Sequence, residues 1–377
     1  MEVAIIGAGI SGLACAITLE RYGIKPAIFE KRGCVGDRFI NAEAMFHILN
    51  RPVKDSLPYI SAKFGISLEP IDEVTELVIH SKNKVGHING KIGYTNLRGR
   101  HNNSYEVQLE KQVKSPIYYN SNESFAQLYS NYDKVIIAAG EGEYSCYMGN
   151  YRSDLACTIK GATVKGSFDS KTSHVWFNYE IIPKGYAWLI PFNDEEAHIV
   201  IAYPEYPENI KLDLQNMWNR FYDLASKDLN QNFIITDEFE IKSYLMGICN
   251  KPKIDNAYFI GNCFGTISPG LGFGQFAAIL TGVYAAYDIC GKGKYEKLVK
   301  HMYGNYSNSL TLRKYLENLN DKDLDLAISC LDKAFLSKLT DRLCGTECHV
   351  DVLKYMTPIF NISNCFKSKR HHNDTNS

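Results

Sequence analysis

A glycine-rich stretch near the N-terminus has the residue types and spacing of a phosphate-binding turn. Gly7, Gly9 and Gly12 follow a short apolar run and precede a segment with helical spacing of apolar side chains. In a dinucleotide-binding fold the first glycine permits the tight turn, the second lets the backbone approach a pyrophosphate, and the third lets the helix pack closely on the sheet. The start of the helix, at Ser11, offers N–H groups to the phosphates. The stretch predicts that the protein binds a dinucleotide, without indicating which one.

The residues that follow add a carboxylate and several basic side chains. A second apolar run ends in Glu30, which we expect to accept hydrogen bonds from the adenosine ribose hydroxyls. Lys31, Arg32 and Arg38 lie in the next loop and are candidates for contact with adenine or phosphate. The alternative is that these three side chains lie in a solvated charged loop without a ligand. Cys34, in the same loop, has the alternative of being only a small residue without a chemical role.

Two later strand patterns also run into glycine turns. One, over 134–138, ends in Ala139 and Gly140, and the other, over 256–260, ends in Gly261 and Asn262. Strands of one parallel sheet present their carboxyl ends at the same edge, where nucleotides bind. The nucleotide-binding domain is therefore predicted to be discontinuous in sequence.

A glycine-rich loop follows the last of these turns and precedes a helix predicted over 275–290. Its candidate ligand-binding residues are Gly270, Gly272, Phe273 and Gly274. Backbone N–H groups at the start of the helix are suited to stabilise negative charge on a bound cofactor. Close packing alone is the alternative reason for the glycines.

Together these elements resemble the glutathione-reductase-like flavoproteins, in the branch that includes p-hydroxybenzoate hydroxylase. The resemblance implies that the cofactor is FAD and that the residue after Gly261 contacts its ribityl chain. This branch usually has aspartate there, whereas Asn262 can hydrogen-bond a hydroxyl but supplies no charge. The sequence has no second Gly-x-Gly-x-x-Gly between a strand and a helix, so we expect no dedicated nicotinamide domain. Transiently bound NAD(P)H and a ferredoxin-like carrier both stay open as electron donors.

A second signature concerns the substrate. The run Pro183-Lys184-Gly185-Tyr186-Ala187-Trp188-Leu189-Ile190-Pro191 resembles the Pro-x-Gly-Tyr-x-Trp-x-Phe-Pro motif of the geranylgeranyl reductase family, with Ile190 in place of phenylalanine. Tyr186 and Trp188 project from one face of a strand and can wall an apolar slot beside the flavin. Two ordinary core aromatics are the alternative.

The resemblance to geranylgeranyl reductases extends over roughly residues 1 to 300. It implies an FAD-dependent oxidoreductase that reduces carbon–carbon double bonds of a small-molecule or lipid isoprenoid by hydride transfer from reduced flavin. Many archaeal members have a Cys-Gly pair shortly after the segment that corresponds to Glu30-Lys31-Arg32, whereas residues 37–45 here contain no cysteine.

Two other functions stay open. An FAD-dependent monooxygenase of the aromatic hydroxylase type shares the fold but reacts reduced flavin with oxygen, and the Tyr186 and Trp188 signature favours the reductase over it. A non-catalytic descendant, binding flavin or lacking it, is motivated by Asn262 and by the missing Cys-Gly pair.

The remaining patterns predict an α/β protein with a Rossmann-like FAD-binding domain and an antiparallel-sheet substrate domain. The first comprises 1–73, 101–150 and 251–300, and the second comprises 74–100 and 151–250. A C-terminal helical segment is predicted over 301–363, and the polar tail over 364–377 is expected to be disordered.

Composition limits the partners. The formal net charge of the 377-residue chain is −1 and its basic residues are dispersed, so we expect no nucleic acid partner. A strand predicted from Glu2 leaves no room for a signal peptide, and eleven cysteines form no disulfide-like pattern, which together favour a cytoplasmic protein with reduced thiols. The basic tail leaves contact with an anionic membrane surface open.

Two segments have more than one interpretation. The run Tyr258–Ile289 is long and apolar, but Pro269 and several glycines interrupt it, so we expect a buried strand, loop and helix instead of a membrane span. Cys344, Cys348 and His349 are metal-ligating residue types, but their spacing matches no compact zinc or iron–sulfur motif, and we expect structural thiols.

Overall fold

The computed structural model describes residues 1–121, 123–140 and 142–329 and contains two β-sheets. The strands are β1 (Val3–Ile6), β2 (Ala27–Phe29), β3 (Asn41–Phe46), β4 (Asp72–Ser81), β5 (Val85–Arg98), β6 (Ile117–Tyr118), β7 (Lys134–Ile137), β8 (Tyr151–Lys165), β9 (Thr172–Phe177), β10 (Tyr186–Pro191), β11 (Glu196–Pro204), β12 (Ile234–Cys249), β13 (Lys253–Ile254) and β14 (Ala257–Phe259). The helices are α1 (Ile10–Arg21), α2 (Ser56–Phe64), α3 (Tyr105–Glu110), α4 (Phe125–Asn131), α5 (Glu143–Tyr147), α6 (Leu214–Asp228), α7 (Gln275–Ile289), α8 (Tyr295–Leu298), α9 (Lys300–Leu316) and α10 (Asp321–Ser329). The predicted α/β class is confirmed.

The smaller sheet contains the glycine turns. Its six strands have the order β13-β14-β7-β1-β2-β6, and all pairs are parallel except β13–β14. Strands β1, β7 and β14 are almost fully buried, as expected for a sheet that is covered on both faces. Helices α1 and α7 pack directly on one another, since a side chain at Gly282 would overlap the carbonyl oxygen of Ser11. This contact joins the helix after the first glycine turn to the helix after the glycine-rich loop.

The larger sheet has eight strands in the order β12-β8-β11-β10-β9-β4-β5-β3, antiparallel except for β4–β9. The sheet curls, as its edge strand β3 also approaches β10 and β11. Ala42 and Ala44 of β3 pack in one cluster with Ile190 of β10. Helix α6 covers the outer face of this sheet, where Phe221 packs in one cluster with Leu189. The inner face is turned toward the nucleotide-binding sheet and its glycine-rich loop, since Trp188 and Phe273 pack against one hydrophobic cluster.

Two elements differ from the sequence analysis. Strand β3 lies in the larger sheet, although residues 1–73 were assigned wholly to the FAD-binding domain. It pairs antiparallel with β5, from Asn41 opposite Arg98 to Phe46 opposite Gly93, and this long-range pairing decides its sheet. Helix α6 was not predicted, although Met217, Trp218, Phe221 and Ala225 repeat at helical spacing and are buried.

The C-terminal helices α8, α9 and α10 continue the predicted helical segment as far as Ser329. The cysteine cluster at Cys344 and Cys348, His349, the rest of the predicted helices and the tail over 364–377 lie outside the described residues. The apolar run from Tyr258 forms β14, the glycine-rich loop and α7, as expected. Over the described ranges, no helix combines the length and apolar character needed to cross a membrane.

Candidate functional site

The glycine turns meet at the carboxyl edge of the smaller sheet. A side chain at Gly7 would lie 2.7 Å from the carbonyl oxygen of Ala138, and one at Gly261 would lie 2.5 Å from Oγ of Ser11. Gly7 (φ 102°) and Gly261 (φ 57°) both have left-handed backbone conformations, which favour glycine. The structure therefore brings together the three separated stretches of sequence that the FAD prediction combined.

Gly9 faces open space at the start of α1. A Cβ built on it has no heavy atom of the described residues within 4 Å, whereas one on Gly12 would overlap the carbonyl oxygen of Gly7. As the N-cap residue of α1, Gly9 also has no side chain to bond the first N–H groups of this 12-residue helix. An open cradle at an uncapped helix N-terminus suits a pyrophosphate.

Glu30 and the basic loop lie beside this cradle. The Glu30 carboxylate accepts hydrogen bonds from the backbone N–H groups of Ala8 (2.8 Å) and Arg32 (3.0 Å). A carboxylate can accept further bonds, so these contacts orient Glu30 and leave capacity for ribose hydroxyls. Arg38 reaches the second turn, where its guanidinium lies 2.6 Å from the position of a Cβ on Gly140, while Lys31 is exposed.

Asn262 connects the second and third turns. Its Nδ2 donates hydrogen bonds to the carbonyl oxygen of Gly140 (2.6 Å) and to the hydroxyl oxygen of Tyr244 (2.9 Å). Neighbouring Cys263 is buried, and its thiol donates to the carbonyl oxygen of Ala139 (3.2 Å). Burial raises the pKa of Tyr244 to about 12, so its hydroxyl stays protonated. Sequence reasoning missed Tyr244, which comes from β12 in the other sheet.

The glycine-rich loop forms a compact turn at the start of α7. Gly272 (φ 75°) donates from its N–H to the carbonyl oxygen of Ser268, and Ser268 donates back to that of Phe273. A side chain at Gly274, the N-cap of the 15-residue α7, would lie 2.9 Å from the carbonyl oxygen of Thr266. Gly270 packs against Ser309 of α9, so packing accounts for this glycine. The N-terminus of α7, uncapped like that of α1, is the part suited to a negatively charged flavin ring.

Tyr186 and Trp188 lie on β10 directly beside this loop. The Tyr186 hydroxyl donates to the carbonyl oxygen of Leu271 (2.7 Å), and a Cβ on Gly272 would lie 3.2 Å from the same hydroxyl. The rings of Tyr186 and Trp188 are 5.4 Å apart, and both side chains are half-buried. Burial raises the pKa of Tyr186 above its ordinary range. Both signature aromatics thus face the predicted flavin site.

A buried polar network, which the sequence analysis did not identify, supports the start of α7. Gln275, its first residue, bonds to Glu43 of β3 and exchanges hydrogen bonds of 3.0 Å with Asn96 of β5. Arg98 pairs with Glu43 (3.6 Å) and Glu106 (2.6 Å). The network ties the helix to the larger sheet, and its one local signal was a glutamine directly after the glycine-rich loop.

The cysteines offer no second site among the described residues. Over the described ranges, no disulfide is formed by Cys15, Cys34, Cys146, Cys157, Cys249, Cys263 or Cys290. Cys34 is exposed in the loop after β2. Within the described ranges, no three histidine, cysteine or acidic residues are arranged to hold a metal ion.

Comparisons with known proteins agree with this geometry. Residues 1–167 match the family model described as pyridine nucleotide-disulphide oxidoreductase. A digeranylgeranylglycerophospholipid reductase of Thermoplasma acidophilum is 22% identical over 381 residues, covering 90% of this chain and 93% of the relative.

Solved structures show the same fold. A geranylgeranyl bacteriochlorophyll reductase-like protein of Thermoplasma acidophilum superposes with a TM-score of 0.69 at 17% identity, over 95% of this chain and 98% of the other. A flavin-dependent brominase superposes with a TM-score of 0.64 at 14% identity, over 98% and 100% of the two chains. The chain therefore has the fold of these flavoproteins, and the predicted resemblance to the geranylgeranyl reductase family is confirmed.

Proposed function

We propose that this protein reduces carbon–carbon double bonds of an isoprenoid chain of the geranylgeranyl type, with FAD as its cofactor. The observation that carries the proposal is a continuous apolar row on the inner face of the larger sheet, adjacent to the glycine-rich loop. NAD(P)H or a ferredoxin-like carrier supplies the electrons. When bound, reduced FAD supplies the hydride.

The row consists of side chains that are direct cross-strand partners and so share a face. It runs over six neighbouring strands through Ile79, Val175, Trp188, Val200, Gly161 and Phe239. Ile79, Val175, Trp188 and Phe239 are half-buried, and no member carries a charge or a hydrogen-bonding group other than the Trp188 indole N–H. Five inter-strand steps span roughly 24 Å, and the Phe239 ring covers the end of this span over Gly161. Such a surface suits a long hydrocarbon chain better than a small polar aromatic substrate.

The row meets the flavin site at Trp188. This side chain packs in one cluster with Phe46 and Phe273, and Phe273 belongs to the glycine-rich loop. The hydrogen bond from Tyr186 to Leu271 fixes the neighbouring part of β10 to the same loop. An alkene lying along the row is thereby held against the loop that carries the flavin, in an apolar setting that excludes water.

Tyr186 acts in positioning. Its hydroxyl proton points to the carbonyl oxygen of Leu271, and burial raises the pKa of that hydroxyl, so the proton stays on Oη. The apolar row itself offers no acid. The proton that completes the alkane therefore comes from outside the row, supplied by an acid or by water.

Anaerobic reoxidation tests the proposal. The FAD-loaded protein is reduced without oxygen and mixed with a geranylgeranyl lipid, while the visible spectrum is recorded. We expect the oxidised flavin bands to return and the lipid to gain two hydrogen atoms per flavin. The fully saturated lipid of the same length is the matched control and should leave the flavin reduced.

The same experiment separates the competing functions. A flavin that stays reduced with the unsaturated lipid until air is admitted would contradict the reductase proposal and favour a monooxygenase. A protein that retains no FAD would favour the non-catalytic alternative. The superposition on a flavin-dependent brominase makes bromide a useful further addition when air is admitted.

A further inference from the structure

We infer that the ring of Phe239 forms the end wall of this apolar row and sets the length of isoprenoid chain that the protein accepts. The inference rests on the proposed function and names a residue that determines its substrate range. Phe239 lies on β12, the edge strand of the larger sheet, where the row ends.

Gly161 provides the recess that the wall occupies. Phe239 and Gly161 are cross-strand partners, and a Cβ on Gly161 would overlap the Phe239 ring and lie 2.8 Å from Cγ2 of Val200. The ring therefore lies back across β8 toward β11 instead of pointing away from the sheet. It fills space that a side chain would occupy at most other positions of the row, next to Val200 and one strand from Trp188.

Two other rings hold the wall in place. Phe39 stacks on Phe239 with a centroid distance of 3.8 Å and an interplanar angle of 3°, and His198 stacks on it at 5.2 Å and 9°. His198 is fully buried, and neither ring nitrogen has a hydrogen-bond partner among the described residues. Burial lowers the pKa of His198 to about 3, so the imidazole is neutral and packs as an aromatic ring.

Phe39 is itself held by its backbone. The N–H of Arg100 donates to the carbonyl oxygen of Arg38 (3.2 Å), and a side chain at Gly99 would overlap the carbonyl oxygen of Phe39. A ring fixed between an anchored phenylalanine and a buried histidine is a rigid boundary. The phenyl ring that Phe239→Ala removes is close in size to one isoprene unit, so the variant should lengthen the row by about that unit.

Binding of a chain-length series tests the inference independently of turnover. Geraniol, farnesol and geranylgeraniol are titrated into the oxidised, FAD-loaded protein, and dissociation constants are read from changes in the flavin absorption spectrum. For Phe239→Ala we expect the preference for geranylgeraniol over farnesol to rise by about tenfold, because the longer chain buries an additional isoprene unit. Phe239→Leu, which keeps an apolar side chain, should change the preference in the same direction by less.

Phe168→Ala is the matched control. Phe168 is also half-buried and stacked, on Phe233 at 5.9 Å, but it packs with the cluster on the outer face of the same sheet. A shift in preference for both Phe239 variants but not for Phe168→Ala supports the wall. Unchanged preference in the Phe239 variants, or an equal shift in Phe168→Ala, overturns it. If the unaltered protein binds none of the alcohols, the proposed function itself fails.

Discussion

Gly9 and Gly12, three positions apart in one turn, are glycines for different physical reasons. The space around Gly9 is open and its backbone (φ −81°, ψ 179°) suits any residue. At Gly12 a side chain would overlap the carbonyl oxygen of Gly7 and lie 3.2 Å from Cβ of Ala138. Folding therefore leaves no room for a side chain at Gly12. At Gly9 a side chain would interfere only with a bound ligand.

This difference predicts opposite behaviour of two variants. Gly9→Val should leave the free energy of unfolding of the FAD-free protein nearly unchanged but weaken FAD binding by about 100-fold or more, because hydrogen bonds to charged phosphates are worth roughly 1.5–3 kcal/mol each. Gly12→Ala should lower the unfolding free energy by about 2 kcal/mol through overpacking. Denaturant titration and equilibrium dialysis with FAD measure the two effects. A Gly9→Val protein that keeps its full complement of FAD would contradict the assignment of the phosphate site.

Asn262 is matched to its surroundings, although related flavoproteins usually have aspartate at this position. Its amide donates to the carbonyl oxygen of Gly140 and to Tyr244, and an ionised carboxylate has no proton to donate. With aspartate at position 262, a carboxylate oxygen would lie 2.6 Å from the carbonyl oxygen of Gly140, and both atoms are acceptors. The change from aspartate is thus accompanied by one partner, the carbonyl oxygen of Gly140, that requires a donor.

We therefore expect Asn262→Asp to destabilise the folded protein, although aspartate is the usual residue at this position in related flavoproteins. The unfolding free energy at pH 7 should fall by roughly 1–2 kcal/mol, the cost of a lost hydrogen bond with an acceptor left facing another acceptor. The deficit should shrink as the pH falls toward about 4, because a protonated carboxyl regains a donor. Denaturant titrations at the two pH values check this. A variant that is equally stable and binds FAD more tightly would show that position 262 retains the ordinary acidic role.

At the scale of elements, the sequence predicts those strands and turns that a short stretch of residues specifies by itself. The strand-to-glycine turns at Gly7, Gly140 and Gly261 follow from short apolar runs next to glycines, and the structure has a strand that ends shortly before each. The Tyr186 and Trp188 spacing likewise places both side chains on one strand face, beside the loop that the sequence singled out.

The elements that sequence did not reveal depend on distant pairing. Strand β3 has few residues and an alternating pattern, and only its partnership with β5 puts it in the larger sheet. The Phe39 and Phe239 stack and the bond between Asn262 and Tyr244 each join residues from different sheets or from a loop and a sheet. No local pattern specifies such contacts, because they arise from how two sheets are positioned on each other.

The whole molecule contains buried histidines, away from the proposed flavin site, that bear on its stability. His80 and His174 lie in the larger sheet with a 3.2 Å contact between Nε2 and Nδ1, and Asp228 at the end of α6 lies 3.7 Å from His80. The pKa of both histidines is lowered to about 4, chiefly by burial; Asp228 opposes the shift at His80, and the charge of His80 adds to the shift at His174. Both imidazoles are therefore neutral near pH 7, as is that of His198.

Stability should consequently fall as the pH drops below about 6.5. The unfolded chain binds protons at these histidines near pH 6.5, whereas the folded protein binds them only near pH 4, so acid favours unfolding between these values. From pH 7 to pH 5 the expected loss is roughly 2 kcal/mol for each such histidine. This window lies above the titration of ordinary carboxylates, so it isolates the histidines. Denaturant titrations of His174→Gln should show a shallower loss with falling pH than those of the unaltered protein. Equal slopes in the two proteins would mean that His174 titrates alike in the folded and unfolded states.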